Sequence, residues 1–100
     1  FDDSRTLQGE IGKYIVTAKR KGSEWFIAAM TNWDERELQL RLDFLDDADY
    51  KAVIFSDGVN ASRSAEDYKR EEKVVKKGDV LRLLLKSGGG WTARLEKIRR

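Results

Sequence analysis

Trp25-Phe26-Ile27-Ala28-Ala29-Met30 is a run of six apolar residues with no polar residue alternating between them. The turn former Lys21-Gly22-Ser23-Glu24 precedes it and the polar break Asn32-Trp33-Asp34-Glu35 follows. A short continuous apolar run bounded in this way reads as a strand with both faces covered. Period-two geometry sends Trp25, Ile27 and Ala29 to one face of a sheet and Phe26, Ala28 and Met30 to the other. One set serves a core. The other needs cover that a two-layer domain of 100 residues does not itself supply, unless residues 1–12 fold back over it. Phe26, Ala28 and Met30, together with Trp33 in the polar turn, are therefore the candidate interdomain or oligomer contacts.

The flanking sequence repeats the strand signal. Residues 14–20 are β-branched and alternating, with Tyr14, Val16 and Ala18 on one face. Gly22 is free to take the positive φ of a hairpin turn. Leu38, Leu40 and Leu42 alternate with Gln39 and Arg41, and Phe44-Leu45 plugs the core before the acidic bend Asp46-Asp47-Ala48-Asp49. Residues 50–55 form a strand closed by Ser56-Asp57-Gly58, and a polar connection over 59–68 follows. Residues 69–75 read as a charge-laced edge strand, where lysines discourage aggregation. Leu81, Leu83 and Leu85 face inward in the next strand, and Gly88-Gly89-Gly90 leads to Trp91, Ala93 and Leu95 in the last. The expectation is an all-β fold, an antiparallel, Greek-key-like sandwich of about 7–8 short strands. Residues 1–12 read as a connector and 13–100 as the sandwich. A turn or two of helix within 61–72 is a second reading of that segment.

Composition removes most catalytic chemistries. The chain has no histidine and no cysteine, hence no usual general base, no thiol nucleophile, no soft-metal ligand and no disulfide. Its serines have no histidine to activate them. Twenty basic and 18 acidic residues nearly cancel, so no basic block tracks a phosphate backbone. No stretch approaches the roughly 20 apolar residues of a membrane span. The chain opens on Phe1 and is read as a piece of a longer polypeptide.

Across nearly the whole chain, ordered anchors resemble one family. They run Asp3-Ser4-Arg5, Leu7, Gly9, Gly12, Ala18-Lys19-Arg20-Lys21-Gly22, Trp25, Ala29-Met30-Thr31-Asn32-Trp33 and Arg36-Glu37-Leu38. They continue through Phe44-Leu45, Tyr50, Asp57-Gly58-Val59-Asn60-Ala61, Asp67-Tyr68-Lys69 and Gly88-Gly89-Gly90-Trp91-Thr92-Ala93-Arg94. In this order they resemble the C-terminal domain of glycoside hydrolase family 97, with Phe1 where the family pattern has tryptophan. The resemblance implies a parent with an N-terminal β-supersandwich, a (β/α)₈ barrel and this C-terminal β-sandwich. It implies hydrolysis of α-glucosidic or α-galactosidic bonds by carboxylates and a calcium ion in the first two parts, and export to the periplasm. None of those catalytic or calcium-binding residues maps onto this chain. The expected function is non-catalytic: packing on the catalytic barrel of the parent chain and oligomerisation. No cofactor, no nucleic-acid partner and no membrane span is expected here.

Two other binding classes frame that expectation. In a carbohydrate-binding module, Trp25, Trp33, Trp91 and Tyr68 would form an exposed stacking platform, but Trp25 and Trp91 fall at inward-compatible positions. In an OB-like nucleic-acid binder, exposed aromatics would sit among lysines, whereas here Lys69-Arg70-Glu71-Glu72-Lys73 mixes both signs. Asp43, Asp46, Asp47 and Asp49 could offer oxygens to calcium but lack the spacing of a calcium loop. Gly88-Gly89-Gly90 precedes a strand, so it marks a bend and not a phosphate cradle.

Overall fold

In the computed structural model of the chain, residues 3–57 and 68–99 are described. Eight strands follow in order: β1 (Asp3–Glu10), β2 (Tyr14–Lys21), β3 (Glu24–Thr31), β4 (Arg36–Arg41), β5 (Tyr50–Asp57), β6 (Tyr68–Val75), β7 (Val80–Leu85) and β8 (Gly90–Lys97). All pairings are antiparallel. Six strands make one sheet in the order β1-β2-β3-β8-β5-β6, and β4 pairs with β7 in a second sheet of two. The connection and helical alternative expected over 59–67, and the turn residue Gly58, lie outside the described residues. Lys69–Glu72, also within that helical alternative, is extended in β6.

Alternation builds the core. From the large sheet, Val16, Ala18, Trp25, Ile27, Ala29, Ala52, Ile54, Trp91, Ala93 and Leu95 point inward, and Leu40, Leu81, Leu83 and Leu85 meet them from the small sheet. Trp25 and Trp91 are only 5% and 3% exposed. Phe44 tilts onto Trp25 with ring centroids 4.7 Å apart, a favourable aromatic geometry, while Leu42 and Leu45 are buried beside it. The β2–β3 hairpin turns on Gly22 at φ 61°, a conformation that glycine takes without penalty.

One feature departs from the sequence reading. Within the expected connector, Asp3–Glu10 is an edge strand of the large sheet, so the sandwich takes in residues before 13. Its periodicity is masked because the register shifts between Thr6 and Gln8. The bulge turns Leu7 toward the core and lets Gln8 Nε2 donate to the Gln39 carbonyl of β4 at 2.8 Å. As the sequence implies, β3 buries Trp25, Ile27 and Ala29 in the core, while its outer face has no second layer among the described residues.

The register also sorts the loops into two ends. The start of β1, the β2–β3 turn and the end of β8 lie together, as Asp3 pairs with Arg20 and Glu24 with Glu96. The β1–β2, β3–β4 and β7–β8 turns lie at the other end, where Tyr14 pairs with Thr31 and Met30 with Gly90.

Candidate interaction surface

Pairing of β2, β3, β8 and β5 fixes what the outer face of the large sheet presents. One row across the strands reads Lys19, Phe26, Arg94 and Val53; the next reads Thr17, Ala28, Thr92 and Phe55; a third brings Ile15 beside Met30 and Gly90. Ala28 and Thr92 form a low floor between the Phe26 and Phe55 rings, leaving a trough of about 510 Å³. Phe26 is half-buried, Ala28 exposed and Met30 64% exposed. Ile15 and Phe55 are exposed beside them, whereas Val53, flanked by Arg94 and Glu72, is buried. The result is an apolar band running the length of β3.

The trough carries little unbalanced charge at its edges. Arg94 pairs with Glu96 at 2.6 Å and Arg70 with Glu72 at 2.7 Å. The Arg70 hydrogen bond holds the Glu72 carboxyl below its ordinary range. Arg70 also lies 5.9 Å from the centre of the Phe55 ring. Paired guanidiniums interleaved with carboxylates make a poor track for a phosphate backbone.

Trp33 belongs to a different surface. It is 84% exposed in the turn between β3 and β4. One side of its ring rests over Gly88, where an added Cβ would lie 3.7 Å from Cζ3. Asn32 is the hub of this end. Its N–H donates to the Lys13 carbonyl at 2.8 Å, and its carbonyl accepts from Gly88 N–H at 2.6 Å. Its side chain donates to the Gly12 carbonyl at 2.9 Å and accepts from Asp34 N–H at 3.0 Å. Arg36 completes the lock: Nε donates to Thr31 Oγ1 at 2.8 Å, and the guanidinium lies 4.9 Å from the Tyr14 ring centre. Three separate turns are thereby cross-tied. Ile11, fully exposed at the tip of the β1–β2 turn, borders a groove of about 570 Å³ with Ile15 and Met30.

The four candidate contacts thus divide. Phe26, Ala28 and Met30 share the outer face, and Trp33 stands at the turn end. Sequence reading passed over Ile15, Phe55 and Ile11. The first two were legible as the off-phase apolar positions of their strands; Ile11 sits in a turn and carried no periodic signal. A stacking platform of several tryptophans is not assembled, because Trp25 and Trp91 are core.

The acidic bend is spoken for by protein groups. Asp46 accepts from Lys97 Nζ at 2.7 Å, from Tyr50 Oη at 3.0 Å and from Ala48 N–H at 3.1 Å. Those bonds, the Lys97 bond foremost, pull its carboxyl down to about 2. Burial, with Asp46 alongside, pushes the Tyr50 hydroxyl up to about 12. Asp43 is engaged by Arg41 Nε at 3.0 Å. Among the described residues no three acidic groups converge as metal ligands do, and no helix is long and apolar enough to cross a membrane.

Comparison with known proteins gives a family and a fold. The family profile described as "Glycosyl-hydrolase 97 C-terminal, oligomerisation" matches residues 1–96. A retaining alpha-galactosidase of Bacteroides thetaiotaomicron is 42% identical over 96 residues, 96% of this chain and 14% of that protein. A glycoside hydrolase family 97 enzyme of Pseudoalteromonas sp. strain K8, solved with acarbose, superposes with a TM-score of 0.88 at 33% identity, covering 96% of this chain and 16% of the enzyme. A beta-arabinopyranosidase shares the fold at TM-score 0.73 and 24% identity, over 93% of this chain and 14% of its own. The chain therefore spans about one seventh of the relatives it matches.

Proposed function

The chain belongs to the C-terminal domain family of the family 97 glycosyl hydrolases, and on that premise we propose that it is a non-catalytic module whose outer sheet face packs on the catalytic barrel of its parent. The parent, in this reading, hydrolyses α-glucosidic or α-galactosidic bonds. Its carboxylates and calcium, in the same reading, belong to the parts that precede this domain. The parent, in this reading, is exported to the periplasm, which fractionation of its native host tests.

One observation carries the docking assignment: an apolar band of Phe26, Ala28, Met30, Ile15 and Phe55 on a sheet face that no second layer covers among the described residues. Six strands about 4.8 Å apart and about 26 Å long give a face of about 650 Å². That approaches the roughly 800 Å² per partner of a stable interface. Contiguous exposed apolar residues on such a face mark an interaction site.

Phe26→Glu in the parent polypeptide tests the proposal. A carboxylate forced into an apolar contact is costly unless paired, so the domain should loosen from the barrel while staying folded. Limited proteolysis should release a fragment of about this size from the variant and not from the wild type. Equal resistance of both proteins would remove the outer face from the barrel contact.

A further inference from the structure

Resting on that reading, we infer that the turn end carrying Trp33 and Ile11 is where a second copy of the parent binds, next to the sheet face that meets the barrel, which it adjoins where Ile11 shares a groove with Ile15 and Met30. The family description names oligomerisation, so a surface for a like copy is required. Geometry favours the turn end over the other end. As a C-terminal domain, the sandwich receives the preceding polypeptide at the start of β1. The β1–β2 tip lies at the far end of that eight-residue strand, about 26 Å away at about 3.3 Å per residue. A patch pointing away from the junction with its own chain is available to another.

The patch also has the make-up of a copy–copy contact. Tryptophan is enriched among residues that dominate binding, and Trp33 stands 84% exposed. It is held in place before any partner arrives, by Gly88 beneath its ring and by the Asn32 hydrogen bonds that join the three turns. Pre-ordering lowers the entropic cost of association. In a two-fold contact the same patch faces itself and must tolerate its own charge. Here both signs are interleaved: Glu10 with Lys13 at 3.2 Å, Glu35 with Lys86 at 3.5 Å, and Asp34 with Arg36 at 3.8 Å. A single-sign rim would select an oppositely charged partner. This one suits its own image.

Sedimentation velocity on the parent polypeptide, with Trp33→Asp and Ile11→Asp made separately, tests the inference, and Phe26→Glu serves as the contrast. Both turn-end variants should weaken self-association by about 30-fold or more, the scale of a dominant interface residue, and should remain as resistant to proteolysis as the wild type. Phe26→Glu should leave the assembly intact while freeing the domain to protease. If both turn-end variants assemble like wild type, the surface assignment is wrong while oligomerisation stands. It is equally overturned if only Phe26→Glu dissociates the assembly, or if the turn-end variants release the domain from the barrel. A wild-type parent that stays monomeric at micromolar concentration would remove the oligomerisation reading itself.

Discussion

At the scale of single residues, burial separates the aromatic side chains by role. Trp91 sits in the middle of the core with Ala93 and Leu95 on the same face of β8. Trp91→Ala should cost about 3–5 kcal/mol, as truncation of buried large aromatics does. A small domain holds only about 5–15 kcal/mol in total, so the variant should melt far below wild type in a denaturant titration; wild-type-like melting would mean that the core does not rest on this ring. Asp46 gives a pH-dependent prediction. Its carboxyl ionises at about 2 in the folded chain against an ordinary 3.8. A depressed acid stabilises the fold above its unfolded value and loses that contribution as protons are added. Stability should therefore fall between pH 3.8 and about 2, and Asp46→Asn should flatten that part of the curve. The side chain is half exposed, so screening keeps the effect under about 1 kcal/mol. An unchanged acid limb in Asp46→Asn would assign the loss to other carboxylates.

At the scale of elements, β3 is the spine. Its inward residues are fixed by the core and its outward residues by pairing with β2 and β8, so Phe26→Glu replaces a side chain on the side away from the core. The turns at the far end are held differently, by Asn32 reaching across three of them. Asn32→Ala keeps its backbone bonds and loses the side-chain bonds to Gly12 and Asp34. At about 1 kcal/mol for each net hydrogen bond, it should destabilise by about 1–2 kcal/mol, with the Asp34 amide exchanging hydrogen faster. Unaltered exchange there would show that the backbone alone holds the turns. The edges are handled by composition: β6 carries Lys69 and Lys73 exposed along its length, as edge strands that avoid pairing with other sheets commonly do.

At the scale of the whole molecule, two sheets of six and two strands leave one broad face without a second layer among the described residues. The apolar band on that face and the tethered turn end adjoin where Ile11 meets Ile15 and Met30; the two proposals assign the band to the barrel and the turn end to a second copy. The two sets of variants, Phe26→Glu against Trp33→Asp and Ile11→Asp, separate those duties because they sit about a strand length apart.

The sequence by itself determined seven of the eight strands, the inward tryptophans, the edge character of β6 and the family. Each rests on a local pattern: period-two alternation, turn glycines, lysines on a strand, or anchors in fixed order. It also divided β3 correctly, since alternation sends Phe26, Ala28 and Met30 away from Trp25 whatever the strand pairs with. Only the tertiary structure decided that residues 3–10 add an edge strand, because a bulge breaks their periodicity and pairing with β2 makes up for it. It alone decided the six-and-two split, which depends on which strands pair across long stretches of chain. It alone set Trp33 apart from Phe26, Ala28 and Met30. Gly12, Asn32 and Gly88 are distant in sequence and meet only because antiparallel pairing brings three turns to one end.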